Sequence, residues 1–151
     1  MLSRIVSILI EVEKRMDYYK KHDNPPKVDL KKILVDKLWD YKGYEFWSVD
    51  GEYIRDNVDI DFVEGGNPGR YGYVPEKHRW IEEVIDKGDI VPTAAHEHIE
   101  CILMEEHGLS YDDAHEIASA YEVEIRKNVY ERNFFDNFKK IVDAIDFKEI
   151  V

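Results

Sequence analysis

The chain has 151 residues, 44% of them hydrophobic and 36% charged, and carries a formal net charge of −12. That length suits one domain with a real core, and that charge argues against non-specific binding to nucleic acid or to a membrane surface. A single cysteine, Cys101, rules out an intramolecular disulfide and makes a reducing, cytoplasmic setting the expectation.

The first apolar stretch, Ile5 to Ile10, is interrupted by Ser7 and closed by Glu11. It is too short for a membrane span and is followed by too much acid for a signal peptide. Leu2, Ile5, Leu9, Val12, Met16 and Tyr19 recur at spacings of three and four, which predicts an amphipathic helix over about 2–21, stopped by Asn24-Pro25-Pro26. Asp29 suits the cap of a second helix with the stripe Leu30, Ile33, Leu34, Leu38 and Tyr41 and an end at Gly43. Residues 1–43 therefore read as a helical N-terminal part.

The period then changes. Tyr44 to Val49 reads as a strand, Asp50-Gly51 as a hairpin turn and Glu52 to Arg55 as the returning strand. Val58, Ile60 and Phe62 alternate with Asp59, Asp61 and Val63, as in a half-exposed strand. Glu64 to Gly69 has three glycines but no Lys-Ser/Thr ending, so it reads as a hairpin connection and not as a phosphate loop. Tyr71, Tyr73 and Arg79-Trp80-Ile81 suggest further strands. Residues 44–90 are thus expected to form a small, mainly antiparallel sheet.

Residues 91–151 read as helical. Pro92 and Thr93 suit a helix start and Gly108 its end, while Ser110-x-x-Asp113 suits the cap of the next helix. Ala114, Ile117, Ala118, Tyr121 and Ile125 mark one stripe. Phe134, Phe135, Phe138, Ile141, Val142 and Ile145 mark another, with a break expected between Asn128 and Asn133. The last stripe is expected to serve as core or as an interface, including one with a second copy of the chain.

Within this half lies His96-Glu97-His98-Ile99-Glu100, followed by His107, His115 and Glu122. Positions i and i+4 share a helix face, so His96 and Glu100 point the same way. Composition alone would produce H-E-x-x-E in about 0.3 of such chains, so its position must carry the argument. Ala95, Ile99, Ile102 and Leu103 form an apolar stripe flanked by His96 and Glu100, and a glutamate there is costly to bury unless paired or bound to metal. On the next helix His115, Ala118 and Glu122 share a face, and small Ala118 allows close approach. A turn at Gly108 would make the two helices antiparallel, so His96, Glu100, His115 and Glu122 form a candidate set of four metal ligands. The bland alternative is a His–Glu hydrogen-bond network without metal. His98 is expected to point away and be exposed, His107 to complement its helix C-terminus, His22 and His78 to lie on the surface, and Cys101 to serve packing.

Asp59-x-Asp61-Phe62-x-Glu64-Gly65-Gly66, Pro75, Trp80-Ile81, His96-Glu97, Glu100, Gly108-x-x-Tyr111-x-x-Ala114-His115, Ala118 and Glu122 resemble uncharacterised small proteins of phages and prokaryotes that look like minimal zincins. The resemblance covers roughly residues 50–122. It implies His96 as a ligand, Glu97 as the catalytic base, Glu100 in place of the second histidine of H-E-x-x-H, and His115 or Glu122 as the downstream ligand. Zinc is the implied cofactor, with manganese or iron as alternatives because carboxylate ligands harden the site.

The sequence therefore predicts an α+β domain spanning 1–151: a small antiparallel sheet, flanked by N-terminal helices and by a C-terminal helical half that carries a zincin-like helix pair. The expected activity is metal-dependent hydrolysis, most concretely of a peptide or protein. An extended substrate would pair with the strand at Arg79 to Ile81. Two rivals stand beside it: a non-catalytic acidic module that binds a basic partner or mimics nucleic acid, and a bundle-type metal protein using Glu and His from facing helices.

Overall fold

The structure, a computed structural model, describes residues 26–150. The helix expected over 2–21, and with it His22, lies outside the described residues. Among these, a mixed α+β architecture is seen: a four-stranded sheet in the order β1-β2-β4-β3 with helices packed against it.

Asp29 does cap a helix, its carboxylate accepting from the Lys31 N–H at 3.1 Å, but that helix (α1, Leu30–Ile33) lasts one turn. The chain then runs as strand β1 (Leu34–Tyr41), which pairs antiparallel with β2 (Tyr44–Val49). The longer helix expected here is thus corrected. Two register shifts in β1, between Leu34 and Asp36 and between Lys37 and Trp39, break strict alternation, and a bulged strand leaves apolar residues at spacings that imitate a helix. The hairpin turns at Lys42-Gly43, whose φ angles of 48° and 85° are the left-handed pair that a tight two-residue turn requires. Across the hairpin Trp39 faces Phe46 with ring centroids 5.3 Å apart.

Asp50-Gly51 is not a turn between strands. Asp50 caps helix α2 (Gly51–Asn57), accepting from the Tyr53 N–H at 2.9 Å. Aspartate followed by glycine suits an N-cap as well as a hairpin, and the buried Glu82 explains the glycine: a Cβ at residue 51 would lie 2.2 Å from Glu82 Oε1. The alternation Val58, Ile60, Phe62 also belongs to a turn rather than a strand. Asp59 Oδ1 accepts from the Asp61 N–H at 3.0 Å, Phe62 is buried and Ile60 is 75% exposed. Tyr71 and Tyr73 lie outside any strand, Tyr73 in a turn, their rings stacked at 5.3 Å.

Gly65–Gly66, expected in a connection, forms the short strand β3, paired antiparallel with β4 (His78–Glu82). The expected strand at Arg79 to Ile81 is present as β4, but it runs parallel to β2, so the sheet is mixed. A parallel pair needs a long crossover, here residues 50–77 with α2 and β3. Because β4 lies between β2 and β3, it is not the free edge expected to receive a substrate.

Helix α3 (Lys87–Glu105) begins five residues earlier than expected, after its N-cap Asp86, and carries Pro92 inside it. It is buried without a break from Val91 to Met104. One side meets the sheet through Phe46 and Ile81, and the other sides meet α4 (Tyr111–Ile125) and α5 (Phe134–Asp143). Burial all round is why its sequence shows only a weak stripe. The Leu109 N–H bonds the Leu103 carbonyl at 3.0 Å, Gly108 takes φ 70°, and Ser110 caps α4 by accepting from the Asp113 N–H at 3.2 Å. The C-terminal aromatic stripe proves to be core: Phe138 on α5 is fully buried against Trp39, Tyr41 and Phe46. A short helix, α6 (Phe147–Ile150), follows. The opposite face of the sheet packs Trp80 and Val49 against Ile33, Ile54, Phe62 and the two tyrosines. No helix among the described residues is long and apolar enough to cross a membrane.

Candidate metal centre

Helices α3 and α4 bring His96, Glu97, Glu100, His115 and Glu122 to one cleft of about 260 Å³. The helical spacing puts His96 and Glu100 one turn apart on α3, with His96 Nε2 3.0 Å from Glu100 Oε2. Ala114 and Ala118, both fully buried, let α4 approach α3 closely, and His115 Nδ1 then lies 2.7 Å from the same Oε2. His96, Glu100 and His115 each offer a donor atom, and the three atoms lie within 4.8 Å of one another. Glu122 meets the other side of the His96 ring: its Oε1 is 2.8 Å from Nδ1. That pair is close enough for an ion pair but out of line for a hydrogen bond, leaving Nδ1 a buried nitrogen without an aligned partner. Glu122 is held in turn by Arg126, whose Nε donates to Oε2 at 2.8 Å and whose other end bonds Asp89 at the start of α3.

Asn67, which the sequence suggests only as part of a hairpin connection, completes the floor, and Gly65 and Tyr111 border it. Asn67, fully buried, donates from Nδ2 to Glu97 Oε1 at 3.0 Å and to Glu100 Oε1 at 3.1 Å. Its Oδ1 accepts from the N–H groups of Gly69 and Arg70. Within Gly65-Gly66-Asn67-Pro68-Gly69 an asparagine looks like turn chemistry, and nothing in its spacing reveals that it bridges two carboxylates thirty residues away. Gly65 closes over the site: a Cβ there would lie 3.0 Å from Glu97 Cγ and from Thr93 Cγ2. Tyr111 places its hydroxyl 3.3 Å from His115 Nδ1, a contact that its i, i+4 spacing could have suggested.

The electrostatics separate the two carboxylates of α3. Burial raises the Glu97 pKa to about 8, with the neighbouring Glu100 charge adding to the shift. Burial pushes Glu100 the same way, but hydrogen bonds from His115 and His96 outweigh it and hold its pKa below the usual range. Burial would lower His96, yet the contacts with Glu100 and Glu122 raise it to about 10. Glu122 is lowered chiefly by His96. At neutral pH without a cation the cluster is therefore an imidazolium between two carboxylates, beside a protonated Glu97.

Ligands of a tetrahedral zinc, at about 2.1 Å each, sit roughly 3.4 Å apart. The observed 2.7 and 3.0 Å separations would have to open by about 0.7 and 0.4 Å to admit an ion. Two imidazole nitrogens and one carboxylate oxygen match the donor set of a three-ligand catalytic site. Glu122, 2.8 Å from the buried His96 Nδ1, stands on the side from which a carboxylate would orient a ligating histidine once the two are aligned. The donors present thus fit a divalent cation.

Two of the remaining histidines differ from expectation. His98, expected to be exposed, is 4% exposed among Tyr41, Tyr44, Phe46 and Phe138, and accepts from Arg79 Nε at 3.3 Å. Because α3 is covered on every side, pointing away from His96 means pointing into the second half of the core. His78, expected on the surface, is largely buried, and its Nδ1 accepts from Trp80 Nε1 at 3.2 Å. His107 lies just past the end of α3 and stacks on Phe147 at 6.2 Å. Cys101 is a buried free thiol, its pKa pushed up to about 12 by burial, consistent with a packing role. Compared with known proteins, the chain matches no protein-family model, no curated protein and no solved structure.

Proposed function

We propose that the chain is a metal-dependent hydrolase of the zincin-like kind, acting on peptides. The observation that carries this reading is the convergence of His96, Glu100 and His115 at an open cleft with Glu97 beside them. A divalent cation held by those three side chains would supply Lewis acidity, polarising a carbonyl and acidifying water. Glu97 is not needed to hold it. Beside the open side of that triad it is placed to take a proton from water and return it to a leaving amine, and the charge of a bound cation would draw its pKa down from the raised value of the metal-free cluster, freeing the carboxylate to act as base. Asn67 keeps Glu97 and Glu100 in fixed positions by donating to both. Tyr111, at the cleft wall, is placed to donate to a developing oxyanion. Val63 and Glu64, beside β3 at the edge of the sheet, form a wall of the cleft along which an extended peptide would lie. The resemblance to minimal zincins of phages and prokaryotes points to the same chemistry, with zinc as the first expectation and manganese or iron favoured by the glutamate ligand.

A second reading has its own support. His115, Glu100, His96 and Glu122 already form a continuous polar chain across the two helices, which would staple an acidic, non-catalytic interaction module with no ion. Glu97→Gln separates the two. The hydrolase reading expects this variant to keep metal content and melting temperature while losing cleavage of unfolded peptides. Loss of metal in Glu97→Gln would make Glu97 a ligand and break the assignment. Absence of any peptide, ester or amide cleavage by the wild type, loaded with zinc, manganese or iron, would favour the interaction module.

A further inference from the structure

Asn67 bonds both carboxylates of α3 from the floor of the cleft, and it takes one oxygen of each. We propose that Asn67 is the positioning residue that makes Glu100 a one-oxygen metal ligand and keeps Glu97 out of the ligand set, so that the protein supplies three donors to the ion and leaves the rest of its shell to water and substrate. The inference rests on the reading of His96, Glu100 and His115 as metal ligands, and it adds what fixes the number of ligands and, through it, the preference among metals.

Three observations carry it. The first is the orientation of the Asn67 amide. Its Oδ1 accepts from the backbone N–H groups of Gly69 and Arg70 at 3.0 and 3.1 Å. A backbone N–H can only donate, so the oxygen belongs on that side and Nδ2 must face the carboxylates. Both hydrogens of Nδ2 are then engaged, one by Glu97 Oε1 at 3.0 Å and one by Glu100 Oε1 at 3.1 Å. The Asn67 carbonyl also accepts from the Tyr71 N–H at 3.0 Å, so the backbone of the loop is held as well as its side chain. The second is the division of Glu100. Its Oε2 lies 3.0 Å from His96 Nε2 and 2.7 Å from His115 Nδ1, while Oε1 is the oxygen bonded to Asn67. Two-oxygen ligation needs both oxygens turned to the ion. Turning Oε1 away from Asn67 would leave an N–H of a fully buried side chain without an acceptor. The third is Glu97, which lines the same cleft but is held through Oε1 by the other hydrogen of the same amide. Recruiting it as a ligand through that oxygen would strand that hydrogen in turn. With Asn67 in place the donor set is two imidazole nitrogens and one oxygen, which suits zinc. Without it, further carboxylate oxygens become available, and an oxygen-rich site suits manganese better.

The test uses the full chain loaded with zinc(II), its ligands counted by X-ray absorption at the zinc edge, together with zinc(II) and manganese(II) affinities of the same proteins. The wild type is expected to show a four-coordinate zinc with two imidazole nitrogens and a carboxylate bound through one oxygen. Asn67→Ala removes the amide. Asn67→Ser also removes it but keeps an oxygen for the N–H groups of the loop, so the loop retains an acceptor if the first variant fails to fold. In the variants a further carboxylate oxygen should join the zinc, and the ratio of zinc to manganese affinity should fall about tenfold or more. A two-oxygen carboxylate or a fourth protein ligand at the zinc of the wild type overturns the proposal while leaving the metal site standing, whatever the variants do. So does an unchanged coordination number with both metals weakened alike, which would mark Asn67 as a support for the loop alone. If the wild type takes up no zinc, the metal reading falls and this inference falls with it.

Discussion

His98→Leu should remove a specific part of the acid sensitivity of this fold. His98 Nδ1 accepts from Arg79 Nε at 3.3 Å, so that nitrogen must be unprotonated, and a protonated ring would set two donors face to face. Burial lowers its pKa from 6.5 to about 3, with the charges of Arg79 and Lys42 adding to the effect. The folded pKa is depressed, so the unfolded chain binds a proton below pH 6.5 that the folded chain refuses down to about 3. Stability contributed by neutral His98 is present above 6.5 and lost as the pH falls. At about 1.4 kcal/mol per pH unit, the wild type should lose roughly 2.7 kcal/mol relative to His98→Leu between pH 7.5 and 4.5. That is a large share of the stability of a domain this size. The difference between the two proteins is the quantity to measure, because buried Glu97, whose pKa is raised, acts in the opposite sense over part of this range and cancels in the subtraction. Urea unfolding of both proteins in chelator at pH 7.5, 6.5, 5.5 and 4.5 gives it directly. The lost ring and its bond to Arg79 add an offset that does not depend on pH. A difference that stays flat, or that grows in favour of the wild type at low pH, would show that His98 is not held neutral in the core and would refute the reasoning.

Other consequences can be tested in the same way. His96 has its pKa raised to about 10, so in metal-free protein its stabilising contribution is fully present below 6.5 and is lost as the pH rises through about 10. His96→Gln should flatten that alkaline limb in chelator-treated melts, and an unchanged limb would count against the imidazolium between Glu100 and Glu122. Arg126 supports Glu122, which faces the far nitrogen of His96; Arg126→Ala should weaken zinc affinity about 10- to 100-fold with little change in metal-free stability, since its ion pairs are about a third exposed. Equal affinity in isothermal titration would remove Arg126 from the site. Phe138 is fully buried against three aromatic rings, so Phe138→Ala should cost about 3–5 kcal/mol in denaturant unfolding; a loss under about 1 kcal/mol would return the C-terminal stripe to the surface.

Much of the site was legible because it rests on helical spacing. His96 with Glu100, and His115 with Ala118 and Glu122, follow from i, i+4 geometry, and the Gly108-x-Ser110 junction makes the two helices neighbours. The break between α4 and α5 was equally visible, since Asn128 to Asn133 interrupts both stripes. The middle of the chain misled where local signals serve two structures. Asp50-Gly51 is a hairpin turn by composition and a helix cap in fact, because a buried Glu82 occupies the space beside Gly51. The bulges in β1 turned a strand's alternation into a helix-like stripe. Long-range partners left no local trace at all: Asn67 bridging Glu97 and Glu100, Arg79 reaching His98, and the parallel pairing of β2 with β4. His98 was misplaced for a related reason. A helix buried on every side has no solvent face, and the sequence of α3 does not announce that its surroundings close over it.

The account turns on whether His96, Glu100 and His115 hold an ion. The most direct measurement is metal stoichiometry: full-length untagged protein, stripped with chelator, then titrated with zinc(II) by calorimetry, with elemental analysis of the bound fraction and the same titration on His115→Ala and Glu100→Gln. The account predicts one zinc per chain in the wild type, a raised melting temperature in the loaded protein, and loss of both in each variant. No uptake by the wild type, or the same uptake and melting shift in all three proteins, would contradict it and leave these side chains as a metal-free staple between α3 and α4.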